Sequence, residues 1–190
     1  DAEGKEHWVV RGPLTFYTTR VRIAFDGFGN IYVAGTGRRT NTGTDIVTLK
    51  YSPAGTLLWT AWYDGPANFL EGLDGLSVDA SGNAFVTGYS RNRDYSSSAV
   101  TIKYTADGRE QWIARYTGPL NASCWPYGLV VDRGGNAYVL TNDFIRAPSG
   151  YTSQVTLIKY DSNGREAWVR THSADYASGL AADASGNVYI

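Results

Sequence analysis

Aspartate and asparagine recur in one fixed pattern, Asp-x-x-Gly-Asn, at Asp26/Asn30, Asp79/Asn83, Asp132/Asn136 and Asp183/Asn187. Carboxylate and amide oxygens repeated in this way are the donor types that hold hard cations. The loop is nevertheless too short to wrap an ion and lacks the alternating oxygen ligands of an EF-hand. The same residues have a simpler chemistry: Asp closes an Asx-turn on backbone N–H groups two residues on, Gly accepts positive φ, and Asn tolerates a bulged exit into the next strand. They are therefore assigned to folding, and no metal site is expected.

Catalytic groupings are sparse. The sequence has no HExxH, GxSxG, P-loop or complete GxGxxG pattern, and no cofactor is expected. His7 and His172 are the only histidines. His7 stands beside Trp8 at a position that is Leu58, Gln111 or Ala167 in the other copies, whereas His172 could act as a base beside Asp175. Glu71, Asp74, Asp94, Asp143 and Asp175 could supply a glycosidase pair if two of them converged. Cys124 lacks a spaced His or Asn context and reads as a partly buried thiol, and Asn121 to Ser123 matches a glycosylation sequon.

A second grouping combines guanidinium and aromatic groups: Arg38, Arg39, Arg91, Arg93 and Arg146 with Tyr95, Trp125, Tyr127 and Tyr151. Such a mixture suits an anionic or glycan-bearing partner or a protein hot spot, and the alternative is an ordinary solvated surface. Arg22 stands where other copies have Gly75, Gly128 or Gly179, so it either reaches into a channel mouth to meet an anion or is a local adjustment.

The elements that must position these groups come from a repeat whose copies begin at Asp26, Asp79, Asp132 and Asp183, 53, 53 and 51 residues apart. Each Asp unit is followed by an alternating β-branched segment, DIVTLKY (45–51), SAVTIKY (98–104) or QVTLIKY (154–160), and then by a Gly turn and a tryptophan, Trp59, Trp112 or Trp168. Trp8, after Gly4, supplies the last piece alone. Period-two alternation rich in Val, Ile and Thr predicts strands, and no 3.6-residue period competes with it. The fold class is all-β, with four short strands per copy in an antiparallel meander. A four-stranded unit of about 53 residues must pack against copies of itself, as a propeller blade does.

These residues carry a resemblance. GN[IAV][YF]V, the [VT][TL][LI]KY segment and the Gly-x-x-x-Trp turn resemble the bacterial SBBP-type β-propeller repeat, and the tryptophan turn is similar to the blade-docking motif of quinoprotein propellers. The resemblance implies blade architecture, with Trp8, Trp59, Trp112 and Trp168 between blades, and an extracellular or cell-envelope setting. The chain then divides into a lone outer strand (1–19), blades at 20–64, 73–117 and 126–171, and the inner strands of a last blade (178–190). That is one strand short of four blades, so either four blades close or the ring is incomplete and is completed by a second copy or a larger parent chain. With no methionine, Asp1 is expected to follow a processing event or to lie within such a parent.

Within a copy the first and third turns barely vary, whereas the second connections (36–45, 89–98 and 141–154) and the fourth (12–20, 64–75, 117–127 and 171–178) differ every time and are expected as loops, with the first strand of the second copy starting near Gly75. Strand alternation puts the variable ones on a single side, and function is expected there. With 17 basic and 18 acidic residues the net charge is −1, which argues against nucleic acid as partner. No run reaches the roughly 18 apolar residues of a membrane span. The expected activity is non-enzymatic binding of a protein or glycan. The alternatives are a propeller enzyme of the lyase, glycosidase or quinoprotein kind, with its site at a channel mouth, and a scaffold.

Overall fold

The computed structural model describes residues 3, 6, 8–9, 16–17, 20–39, 43–120, 122–183 and 185–190. His7, Asn121 and most of the lone 1–19 strand lie outside the described residues.

Three four-stranded antiparallel meanders follow one another: β1 (Arg22–Phe25) to β4 (Leu57–Tyr63), with β2 (Ile31–Arg38) and β3 (Thr44–Tyr51) between them; β5 (Glu71–Val78), β6 (Ala84–Arg91), β7 (Ser97–Tyr104) and β8 (Glu110–Tyr116); and β9 (Ala122–Val131), β10 (Ala137–Ala147), β11 (Gly150–Tyr160) and β12 (Glu166–His172). A two-stranded pair, β13 (Ala181–Ala182) and β14 (Val188–Tyr189), begins a fourth unit. The described residues contain no helix, and so none long and apolar enough to cross a membrane.

The second and third strands of each sheet carry apolar side chains on both faces because each sheet is covered on both sides. In β6, Ala84 and Val86 join Tyr32, Ile46 and Tyr63 of the first sheet, while Phe85 faces Val139, Ile158 and Tyr160 of the third. The tryptophans seal these junctions. Trp59 lies edge-on to Tyr32 and Trp112 edge-on to Phe85, both at 5.9 Å between ring centroids. Each donates its indole N–H at 3.1 Å to a turn carbonyl of the next sheet, Trp59 to Ala106 and Trp112 to Ser162. Trp8 does the same to Pro53 at 3.0 Å. The receiving turns carry Gly108 (φ +85°) and Gly164 (φ +80°), where a Cβ would lie only 2.7 and 2.6 Å from the neighbouring indole. Trp168 sits edge-on to Tyr138 of its own sheet.

The repeated Asp is the hub of each first turn. Asp26 accepts from the Phe28 and Asn30 backbone N–H groups (3.0 and 2.9 Å), from the Asn30 side chain (2.8 Å) and from the Tyr32 hydroxyl (3.2 Å). Asp132 and Asp183 repeat the full set with Tyr138 and Tyr189, whereas Asp79 lacks the hydroxyl because Phe85 takes that place. Both carboxylate oxygens are thus engaged by N–H and O–H donors. Burial opposes the charge on Asp26, but these hydrogen bonds outweigh it and hold the carboxyl at about 2.

The repeated asparagines stand at the bulged exit expected of them. In each first turn the Gly has positive φ and donates its N–H to the Asp carbonyl, and the Asp N–H donates to the Asn carbonyl, so that Gly and Asn together face the single Asp. Asn83, Asn136 and Asn187 also clamp the turn, as Asn30 does. Each side-chain amide donates at 2.8 Å to the second oxygen of its own Asp, namely Asp79, Asp132 and Asp183. Their backbone N–H groups donate to the first oxygen at 2.9, 2.9 and 2.8 Å. An amide supplies the extra donor that a carboxylate with two oxygens can accept, which explains why the pair recurs together.

Several variable connections are shorter than their sequences imply. Residues 141–154, expected as a loop, continue the β10–β11 ladder from Thr141↔Thr156 to Ala147↔Gly150, leaving Pro148 and Ser149 as the turn. Cys124, Trp125 and Tyr127, expected in a loop at 117–127, lie on β9. β5 likewise starts at Glu71, four residues before the expected Gly75. In each case the partner strand offers backbone groups that pairing satisfies, and polar side-chain composition does not oppose it.

Candidate functional site

The first strand of the second and third sheets each contains one bulge, and both bulges fall at the same place in the repeat. In β5, Leu73 pairs with Gly88 and Gly75 with Thr87, which leaves Asp74 as the extra residue. In β9, Pro126 pairs with Thr141 and Gly128 with Leu140, which leaves Tyr127. A bulge bends its strand and re-aims a side chain. Pro126 has no N–H to give the ladder, which suits it to an irregular position. Just beyond, the strands crowd: a Cβ on Gly75 would lie 2.9 Å from Leu129, and one on Gly128 2.7 Å from Leu180.

Asp74 and Tyr127 share a cavity of about 420 Å³ with Arg20, Thr36, Leu73, Tyr89, Trp125, Pro126 and Phe144. Arg20 precedes β1, and the others lie on β2, β5, β6, β9 and β10. Trp125 and Tyr89 contact each other, with ring centroids 4.5 Å apart, and Tyr127 meets Tyr176 edge-on at 5.1 Å. Thr36 Oγ1 accepts from the Leu73 N–H at 3.2 Å and ties the floor to the first sheet.

One ion pair anchors the cavity. Arg20 donates to Asp74 Oδ1, with the Asp74 side chain 4% exposed and that of Arg20 54%. Asp74 Oδ2 is buried without a hydrogen-bond partner among the described residues. Burial pushes the Asp74 carboxyl up to about 6, and the positive charges of Arg20 and Arg22 limit the rise. Burial also raises Tyr89, reinforced by the Asp74 charge. The cavity can present aromatic faces and one guanidinium to a ligand, with a buried carboxylate behind the guanidinium.

The other sequence candidates are dispersed. Trp125 and Tyr127 line the cavity; Arg22 is exposed, donates weakly to the Val21 carbonyl at 3.4 Å and lies outside the lining. Arg91 and Tyr95 meet Phe69 and Leu70 at a separate shallow surface, where Tyr95 stacks on Phe69 at 6.0 Å. Arg146 and Tyr151 face each other near the tip of the β10–β11 hairpin, and Arg93 is exposed in a turn. Arg38 lies over Tyr17, and Arg39 lies over Trp62 while its Nε donates to Asp45 at 2.8 Å. Asn30, Asn83, Asn136 and Asn187 stay with their turns and contribute nothing to the lining.

The catalytic candidates separate as well. His172 and Asp175 are exposed and outside the cavity. Asp94 is an exposed cap accepting from Ser96. Asp143 is fully buried and accepts from Thr141, Thr156, Gln154 and Tyr116. Cys124, expected to be partly buried, is fully enclosed; burial and the adjacent Asp143 carboxylate push its thiol far above the ordinary range. Glu71 is sealed beside Ser90, and burial raises it to about 7.

Arg20, Tyr89 and Phe144 escaped the sequence reading. The available signal was position: Asp74 and Tyr127 each stand five residues before a repeat Asp, and Arg20 stands six before Asp26.

No family model matches the chain, and no curated protein matches it. Among solved structures it is similar to a variant of an apocarotenoid oxygenase from Synechocystis, with a TM-score of 0.50 and 14% identity over 90% of this chain and 40% of that one. The chain therefore spans less than half the length of that structure, and the likeness is one of fold.

Proposed function

We propose that this chain is a β-propeller module, built of blades of about 53 residues, that binds a glycan in the cavity around Asp74 and Trp125. The observation that carries the reading is the composition of that cavity. Aromatic rings on consecutive sheets surround a buried carboxylate whose second oxygen has no partner among the described residues. Sugars offer apolar C–H faces for ring stacking and hydroxyl oxygens that accept from the half-exposed Arg20 guanidinium, and the volume falls in the range of about 300–1,000 Å³ typical of small-ligand sites.

The repeated tryptophan-to-turn contact supports the blade arrangement, because each sheet meets the next in the same way. The SBBP-like repeat supports an extracellular or envelope setting. The described lining gathers one carboxylate rather than a pair, so binding is favoured over glycoside hydrolysis.

Glycan-array screening followed by calorimetry tests the reading, with Trp125→Ala in the cavity and Arg91→Ala outside it. Binding weakened at least about tenfold by Trp125→Ala and unchanged by Arg91→Ala is expected. Absence of glycan binding, or binding indifferent to Trp125, refutes it.

A further inference from the structure

Asp45 on β3, Asp64 just after β4 and Glu71 at the start of β5 each bring one carboxylate oxygen to within 4.8 Å of the other two. Asp45 and Glu71 have no solvent exposure, and Asp64 is half-buried at the rim. Like charges gathered out of water repel, and each has lost hydration. Arg39 Nε answers part of this charge by donating to Asp45 Oδ2 at 2.8 Å.

Glu71 provides the independent observation. Its Oε1 accepts from Ser90 Oγ at 3.0 Å, and Ser90 in turn accepts from Arg115 at 3.2 Å. Its Oε2 is equally buried and has no hydrogen-bond partner among the described residues. The carboxyl group thus presents a second oxygen, unanswered by any described donor, in a cluster made of oxygen ligands.

We propose that Asp45, Asp64 and Glu71 form a calcium site that clamps the first sheet to the second. Carboxylate oxygens without nitrogen or sulfur select a hard cation. Oxygens up to 4.8 Å apart can both touch one ion whose bonds run about 2.3–2.6 Å, as those of Ca²⁺ do, whereas Mg²⁺ at about 2.0–2.1 Å demands a tighter, octahedral set. Water entering past Asp64 completes the coordination. The chain between Asp64 and Glu71 leaves the first sheet and enters the second, so the ion ties down that connection. The backbone there fits closely: a Cβ on Gly65 would overlap Glu71 Oε1 and Ser90 Oγ. The site is separate from the glycan cavity and does not depend on that reading.

The test compares the full chain stripped with chelator and then titrated with CaCl₂, read by thermal unfolding and by Tb³⁺ luminescence excited through Trp62. At tenfold excess over the dissociation constant, the unfolding midpoint is expected to rise by about 3–6 °C. Glu71→Gln, which keeps the shape and a partner for Ser90, should abolish the rise. Asp64→Asn, at the rim and least disruptive to folding, should weaken Tb³⁺ and Ca²⁺ binding at least about tenfold. No midpoint shift in the parent protein, an unchanged affinity in Asp64→Asn, or a Mg²⁺ response as large as that to Ca²⁺ overturns the proposal.

Discussion

Asp74 and Tyr127 occupy the same place in successive repeats, each the unpaired extra residue of a bulge in the first strand of its sheet, and both line one cavity. Repetition thus sets the geometry, while the residue type at that place varies from copy to copy.

Burial makes Asp74 a pH-sensitive group. Its folded value of about 6 lies above the unfolded 3.8, so the folded state holds the proton more tightly. Its contribution to stability is full below about pH 4 and is lost as pH rises to 6, on the order of 2–3 kcal/mol in all. Asp74→Asn should remove this decline, and urea midpoints for the two proteins between pH 4 and 7 provide the comparison. Identical pH profiles would show that the carboxyl is not buried as described.

The sheet junctions predict an unusual sensitivity to a single methyl group. Gly108→Ala adds a Cβ at positive φ, 2.7 Å from Trp59, and should destabilise the chain by about 2–3 kcal/mol. Trp59→Phe keeps a ring but loses the bond to Ala106 and should destabilise by about 1–2 kcal/mol. Because both changes act on one contact, the double variant should lose less than the two effects combined, which chemical denaturation can measure.

The turn aspartates should differ by burial. Asp26 is 8% exposed, accepts four hydrogen bonds and has Lys50 at 3.4 Å, so Asp26→Ala strands several donors and should lose about 3 kcal/mol. Asp183 makes an equivalent set at the surface, where water replaces it, and Asp183→Ala should lose far less. The folded value of about 2 for Asp26 lies below the unfolded one, so its contribution is present above about pH 4 and disappears as pH falls towards 2. Acid titration of the parent and Asp26→Ala should therefore converge at the low end.

The thiol of Cys124 should be inert. It has no solvent exposure, and its raised ionisation leaves almost no thiolate at pH 8. A thiol reagent should modify it only in denaturant, with the native reaction slower by several orders of magnitude. Ready modification of the native protein would contradict the packing of β9.

The strands and their turns were legible in the sequence because their causes are local. Asx-turn chemistry at Asp79, alternation in SAVTIKY and the Gly turn before Trp112 each act within a few residues. The bulged exit at Asn83 was legible at the same short range, whereas the donation of its side chain to Asp79 shows only in the folded turn. The cavity was legible only in part. Trp125 and Tyr127 stood out by type, but Tyr89 and Phe144 look like ordinary strand or loop aromatics until register and bulges bring them together. The dispersal of Arg38, Arg91 and Arg146 had no sequence signature, because composition carries no distances. The loop expected at 141–154 failed for a related reason: polar side chains on Asn142 and Asp143 concealed a ladder built by the backbone.

Each internal repeat carries both halves of its junction, a tryptophan donor on its fourth strand and a carbonyl acceptor in its third turn. Deleting the second copy would bring Trp59 to Ser162 in place of Ala106, and inserting another would supply a fresh donor with a fresh acceptor. Gene duplication and loss can therefore change the length of such an array in whole units without any compensating mutation at the seams.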